Sequence, residues 1–323
     1  MKVTLKTVEG IMNHHFGKIP KEVRELGGGR SNYVFEALHD NEWYVIRITD
    51  EQAKFQYFLK EQWAVQKVQE NKVPVPDILE VGNDGSEFPY MIVRKVEGLR
   101  ADTHPNRLEI IREMGKYTAL INSIPTSGFG HVFDWSSNQL SRKETWKEYL
   151  EKELEFSSRL EVLEKNKVIT NGHLSRLKSA LKEVRSWTYK PTLSHGDMRL
   201  KNILVNEKGK ITCILDWEMC CSNVAPYWDV AIALHDLSID EKQAFVDGYG
   251  ISPHEYRKLS NSIKALNIIN YAPFVKTALE KKDKDKIEHI KSRLQGAYDL
   301  YSLDIDAPKK SRRWLPFKFG KGD

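Results

Sequence analysis

Cysteine is scarce: the 323 residues hold three, Cys213, Cys220 and Cys221. An odd number with two adjacent does not make a disulfide framework, suits a reducing cytoplasm and points to buried or free thiols. No paired C-x-x-C spacing offers a structural zinc site. Long hydrophobic runs are also missing, and nothing approaches the roughly 18 uninterrupted apolar residues of a membrane span. The opening MKVTLKTVEG lacks the apolar stretch of a secretion signal, so a cytoplasmic location is expected. No G-x-x-x-x-G-K-[ST] pattern occurs, which argues against a P-loop enzyme. Charge of one sign is not in large excess either. A net +5, with 40% apolar and 29% charged residues, describes an ordinary folded protein. Such a balance suits a nucleotide as well as a nucleic acid.

Up to about residue 95 the chain alternates strand-like and helix-like patterns. SNYVFEAL and EWYVIRIT are β-rich runs separated by His39-Asp40-Asn41. In the following EQAKFQYFLKEQWAVQKVQEN, Phe55, Phe58, Leu59 and Trp63 recur at helical spacing, and Val73-Pro-Val-Pro76 ends that helix. ILEVG and FPYMIVRKV make a further strand pair around Asn83-Asp84-Gly85. The expectation is a small antiparallel sheet crossed by one main helix over 1–94, with a hinge near Met91–Gly98. Helices are then expected over 106–124, 144–164, 172–187, 226–238, 240–248, 254–279 and 283–302, making a second, mostly helical unit over 95–306. The fold class is α+β, with a ligand cleft between the two parts. The remaining 307–323 is a basic tail.

One stretch interrupts the helices: LSHGDMRLKNILVNEKGKITCILDWE, residues 193–218. Two strand-like runs flank Glu207-Lys208-Gly209, so paired positions sum to about 417 and Asn202 falls opposite Leu215 or Asp216. Asp197 lies five residues upstream, in the loop feeding the same end. Two carboxylates and a carboxamide, with no Lys or Arg among the three, suit a hard cation such as magnesium, which fills its other positions with water and phosphate oxygens. Asn202 and Asp216 are then candidate metal ligands and Asp197 a candidate base. The bland alternative is a polar strand end built from turn-forming Asx residues.

His195-Gly-Asp197-x-x-x-x-Asn202 is similar to the protein-kinase catalytic loop H-R-D-x-x-x-x-N, with glycine in place of arginine. With Ile214-Leu-Asp216-Trp-Glu218 and Tyr227-Trp-Asp229-Val-Ala, it resembles the aminoglycoside phosphotransferase and choline kinase-like family, from about Gly27 to at least Leu237. The resemblance implies a bilobal protein-kinase-like fold and a small-molecule kinase using ATP or GTP with magnesium. Asp197 would be the catalytic base and Asn202 and Asp216 the metal ligands. His195 would be a structural spacer, Asp229 a brace for the loop, and Glu218 a neighbouring or surface acid.

At the phosphate end, Gly28, Gly29, Ser31 and Asn32 lie in a glycine turn that can direct backbone N–H groups at phosphate oxygens, although Asn32 stands where G-x-G-x-x-G needs glycine. The strand position of the kinase lysine is Arg47, which keeps the charge in a longer, planar form. Its helix partner would be Glu61. Adenine would meet the backbone around Ile92–Arg94.

For the acceptor, Glu144–Glu164 carries seven Glu against Lys147, Lys152 and Arg159. An acidic wall there would attract a cationic alcohol such as an aminoglycoside, while a solvated helix face is the plainer reading. Asn267, Asn270, Tyr271 and Trp135 are further candidates. One rival reading is a nucleotide-binding pseudokinase with a regulatory role, which the presence of Asp197, Asn202 and Asp216 disfavours. Another is a nucleic-acid or membrane-surface binder working through Lys309–Lys321, against which the tail reads as solubilising. Neither nucleic acid nor membrane is expected as a partner. Oligomeric state is not legible.

Overall fold

Alternation along the strands builds the first layer. The computed structural model describes residues 3–27, 32–84, 86–131, 133–134, 139–140 and 145–299. Within it, β1 (Glu22–Glu25), β2 (Tyr33–His39), β3 (Glu42–Ile48), β4 (Ile78–Gly82) and β5 (Tyr90–Arg94) form an antiparallel sheet in the order β1-β2-β3-β5-β4. The β2–β3 turn is Asp40-Asn41, both at positive φ (45° and 68°), as a two-residue hairpin requires.

Successive side chains of a strand point to opposite faces. Ile46, Ile48, Tyr90 and Ile92 therefore share one face and pack on Val8, Ile11 and Met12 of α1 (Leu5–Phe16). Val45, Met91 and Val93 share the other, against Phe58 of α2 (Phe55–Glu70). The sheet thus has a helix on each face, where the sequence reading assigned only α2. The pattern was available: Thr4 stands at the N-cap, apolar residues follow at 8, 11 and 12, and Gly17 closes the helix at φ 72°.

Beyond β6 (Leu99–Arg100) the chain is mostly helical around one large core. Its elements are α3 (Arg107–Asn122), a two-stranded pair β7 (Phe133–Asp134) and β8 (Gln139–Leu140), α4 (Trp146–Lys152), α5 (Phe156–Lys165) and α6 (Asn171–Arg185). Then come β9 (Thr192–Ser194), β10 (Ile203–Val205), β11 (Ile211–Ile214) and β12 (Cys221–Asn223). The end is α7 (Tyr227–Ala233), α8 (Ile239–Tyr249), α9 (Pro253–Asn270), α10 (Ala272–Glu280) and α11 (Lys284–Asp299). β11-β10-β6 and β12-β9 are small sheets that carry the loop and hairpin singled out above. Cys213, Cys220 and Cys221 are free and buried.

Two expected helices are broken. The stretch 144–164 divides at Glu155, which takes the left-handed conformation (φ 48°, ψ 42°) and lets both Leu154 and Phe156 reach the core. The stretch 254–279 divides at Tyr271, where Pro273 begins a new helix that it could not have continued. Among the described residues no helix is long and apolar enough to cross a membrane.

Candidate active site

The hairpin turns at Glu207-Lys208-Gly209, and a one-residue bulge, between the pairs Val205–Ile211 and Leu204–Cys213, shifts its register before the open end. Ile203 lies opposite Ile214 and Leu204 opposite Cys213, and the Leu215 N–H donates to the Asn202 carbonyl at 2.8 Å. Asn202 is therefore opposite Leu215, one residue from Asp216. Asp216 has φ 65° and ψ 63°, a left-handed conformation that turns the chain out of β11. Its carboxylate accepts no hydrogen bond and forms no ion pair with any described residue, and it lines a cavity of about 640 Å³ between the sheet and the hairpin.

The loop from 195 to 202 is fixed from several sides. His195 is fully buried against Trp217, their ring centroids 4.5 Å apart. Its Nε2 lies 3.0 Å from the Leu215 carbonyl, and its Nδ1 accepts the Asp197 N–H at 3.2 Å. Buried Asp229, on α7, accepts the His195 N–H (2.9 Å) and the Asn122 side-chain amide (2.8 Å) on Oδ2, and the Gly196 N–H (2.9 Å) on Oδ1. Gly196 sits at φ 82°, and a Cβ there would come 2.0 Å from the Met219 carbonyl. The arginine of the protein-kinase loop has no room at this position.

Asp197 is reached by two cations. Arg199 Nε lies 2.8 Å from Oδ1 and Lys201 Nζ 2.9 Å from Oδ2. Asn202 Nδ2 donates to the Asp197 carbonyl (2.9 Å) and to Oδ2 (3.1 Å). Burial pushes the Asp197 carboxyl up, but Lys201, Arg199 and Asn202 together outweigh it and hold it below the usual carboxylate range. The sequence reading had the oxygen cluster free of Lys and Arg. That is corrected here: Arg199 and Lys201, two and four residues after Asp197, turn back onto it. Their positions in HGDMRLKN were visible, but only the loop's path aims them.

The cavity between sheet and hairpin is lined by Asn32, Arg47, Glu61, Arg94 and Asp216 together. Arg47 stands two residues after Val45, hence on the α2 face of β3, and its Nη1 donates to Glu61 Oε1 at 2.6 Å. Its Nη2 lies 3.7 Å from Glu218 Oε2. Burial works against the Arg47 charge, but Glu61, Glu218 and Asp216 outweigh it and raise its pKa, so the guanidinium stays charged. Burial and then the nearby Asp216 raise the Glu218 carboxyl above its ordinary value. Lys60, almost fully buried, ties α2 to this segment by donating to the Glu218 carbonyl at 2.7 Å.

Ile92 is not in this cavity. Its side chain points to α1, and its backbone pairs with Ile46 on one side and Glu80 on the other, so the adenine contact expected there is not possible. The Lys95 N–H still donates to the Trp43 carbonyl at 2.9 Å, so the backbone leaves the ladder only past it, and Lys95 and Val96 both line the cavity. Gly28, Gly29 and Ser31 lie outside the described residues.

The donor chemistry around Asp216 fits a magnesium ion. Asp216 offers an unpartnered carboxylate, and Asn202 commits only its N–H groups, leaving Oδ1 without a hydrogen bond among the described residues. No group of three or more His, Cys, Asp or Glu among the described residues could hold a metal by itself. Magnesium typically takes one or two carboxylates and completes its shell with water and phosphate oxygens.

On the other side of the loop, Gly196 and Asp197 form part of the wall of a second cavity of about 680 Å³, which Asn267, Asn270 and Tyr271 also line. Trp135 lies outside the described residues. The expected acidic wall is not there. Between 145 and 165 only Leu154 and Arg159 reach this cavity. Glu148, Glu151 and Glu164 pair with Lys152, Arg185 and Lys178, and Glu153 accepts the His131 N–H.

Residues 22–260 match the phosphotransferase enzyme family, APH. Hygromycin-B 4-O-kinase of Escherichia coli is 21% identical over 225 residues, or 67% of this chain; the chain spans only 62% of that relative's length. A thermostable mutant of aminoglycoside phosphotransferase APH(4)-Ia, in ternary complex with AMP-PNP and hygromycin B, superposes with a TM-score of 0.65 at 18% identity, covering 90% of this chain and 97% of that one. The GDP and kanamycin complex of APH(2")-IIia gives a TM-score of 0.62 at 17% identity, over 91% of this chain and 98% of that one. At these identities the structural likenesses show a shared protein-kinase-like fold. The family match takes in the sheet, the 195–202 loop and the hairpin, and the chain belongs to the phosphotransferase enzyme family.

Proposed function

We propose that this chain transfers the terminal phosphoryl group of ATP or GTP to a hydroxyl of a small molecule, with magnesium as cofactor. One observation carries the reading: Asp197, Asn202 and Asp216 are joined through a single loop and hairpin that forms a wall of both cavities. The structural neighbours in complex with AMP-PNP and with GDP support a nucleotide donor, of either the adenine or the guanine kind.

In this reading the nucleotide lies under the sheet. Arg47, oriented by Glu61, grips phosphate oxygens, and Asn32 faces the same phosphates, with Gly28, Gly29 and Ser31 kept as candidate contacts from the sequence alone. Arg94 and the backbone of Lys95–Val96 lie toward the base. Asn202 and Asp216 hold the metal, which when bound neutralises charge on the phosphates. Asp197 accepts the proton of the attacking hydroxyl, and its depressed pKa keeps it ionised and ready at neutral pH. Asp229 and His195 hold that carboxylate in place and touch neither substrate. The hygromycin-B kinase makes an aminoglycoside-type alcohol one candidate acceptor. A pseudokinase would be expected to lack part of the Asp197, Asn202 and Asp216 set, and all three are present.

The test is thermal. Magnesium with ATP or GTP should raise the melting temperature, and Asp216→Ala should remove most of the magnesium-dependent part of that rise. A melting curve indifferent to both nucleotides overturns the assignment.

A further inference from the structure

We propose that the acceptor is an anion: a small alcohol bearing a carboxylate or phosphate, which Arg159 and Lys286 hold while its hydroxyl faces Asp197. The inference rests on the phosphotransferase reading above and names the substrate class of the same site.

The charges that line the cavity carry it. Four cations, Arg159, Arg199, Lys286 and Arg293, stand against two carboxylates, Asp197 and Asp236. Both carboxylates are already engaged. Asp197 holds Arg199 and Lys201 at 2.8 and 2.9 Å. Asp236 holds Arg293 at 2.7 Å and lies 3.9 Å from Arg199. Arg159 and Lys286 form no ion pair with any described residue. Arg159 is half-buried, and burial lowers its pKa against the weaker opposing influence of Tyr149 and Glu155. A guanidinium kept partly out of water, with no ion pair to any described residue and only the weaker pull of Glu155, is a site that an anion completes. The neighbouring His131 feels the same field: after burial, Lys60 and Arg159 are what lower its pKa. A polycation entering here meets more cations than carboxylates, with Asp197 and Asp236 already paired, and among the nearby acids Glu148, Glu151 and Glu164 are engaged by Lys152, Arg185 and Lys178. Arg159 and Lys286 come from separate elements, α5 and α11, and both line the cavity.

The test uses the full chain with magnesium and ATP or GTP. Nucleotide consumption is measured with gluconate, glycerate and glucose 6-phosphate, with glucose and glycerol as neutral counterparts, and with kanamycin as the polycation. At least one anion should exceed its neutral counterpart tenfold or more in kcat/KM, and gluconate against glucose 6-phosphate tells carboxylate from phosphate. For that anion Arg159→Glu should raise KM tenfold or more, with Arg159→Lys recovering most of the loss, and Lys286→Glu should raise it severalfold. The proposal is overturned if kanamycin surpasses every anion, if no anion exceeds its neutral counterpart, or if Arg159→Glu leaves the anion's KM unchanged. Nucleotides that fail to shift the wild-type melting temperature remove the phosphotransferase reading itself, and the acceptor proposal with it. A normal nucleotide shift with no preference for anions removes only the acceptor proposal.

Discussion

The two cavities share the catalytic loop and hairpin as a wall, yet their charges are arranged oppositely. On the nucleotide side the cation Arg47 is held by Glu61 and approached by Glu218, and the carboxylate left over is Asp216. On the acceptor side the carboxylates are held by Arg199, Lys201 and Arg293, and the charges left over are Arg159 and Lys286. Under the proposed function, each half lacks the charge that its ligand would bring: a metal ion with its triphosphate on one side, an anionic alcohol on the other. Asp197 sits at the boundary. Burial raises its proton affinity, and Lys201, Arg199 and Asn202 from its own loop outweigh that and lower it.

Removing the boundary residue should have the largest effect. Asp197→Ala should lower turnover by about 10²–10⁴-fold, the usual contribution of a positioned base, while the nucleotide-induced melting shift survives. Steady-state rates and melting curves on one preparation check this, and equal rates in mutant and wild type remove Asp197 from the chemistry. Next comes the brace beneath both cavities. Asp229→Ala strands three buried donors, the His195 and Gly196 amides and the Asn122 side chain, at a cost of about 3 kcal/mol or more. Denaturant titration measures it. A loss under 1 kcal/mol would mean that the loop holds itself in place.

A smaller effect separates the two sides. Arg47→Lys keeps a charge facing Glu61 but loses the planar fork, so the nucleotide KM should rise severalfold, roughly the 1–2 kcal/mol of a charge-assisted hydrogen bond. The acceptor KM should stay put. Parallel rises in both constants would say that the cavities are not independent.

The parts legible in the sequence were those fixed by short-range periodicity. The Glu207-Lys208-Gly209 turn brings the two strands of the hairpin together, although the pairing of Ile203 with Ile214, and with it Asn202 beside Asp216, also needs a one-residue bulge that the turn does not show. Two-residue alternation puts Arg47 on the face of Val45, and helical spacing turns Glu61 toward it. What escaped were features set by the path of an irregular chain. Arg199 and Lys201 follow Asp197 in sequence, but the bend of the loop decides that they return to it. Nothing local marks Glu155 as the left-handed residue that splits 144–164 and sends its acids outward, since neither glycine nor proline stands there. The base contact was expected around Ile92–Arg94, but Ile92 sits inside the sheet, paired with Ile46 and Glu80, and how far the ladder runs is set by tertiary pairing.

The smallest expected effect is that of Arg159→Gln on acid stability, and it reports on the acceptor wall. Burial lowers His131 to about 3, with Lys60 and Arg159 pushing the same way, whereas an unperturbed histidine titrates near 6.5. The Tyr149 hydroxyl, 3.3 Å from Nε2, is its nearest polar side-chain partner, and Glu153 takes only its backbone N–H. As pH falls below about 6.5 the unfolded chain gains a proton at His131 that the native state refuses until about 3. His131 therefore leaves stability unchanged above that window and subtracts from it progressively through it. Arg159→Gln removes one of the two cations, so the His131 pKa followed by NMR should rise and the acid loss should shrink. A wild-type His131 that titrates near 6.5 would mean that the wall is neither dry nor positive, and the contrast across Asp197 would lose its acceptor half.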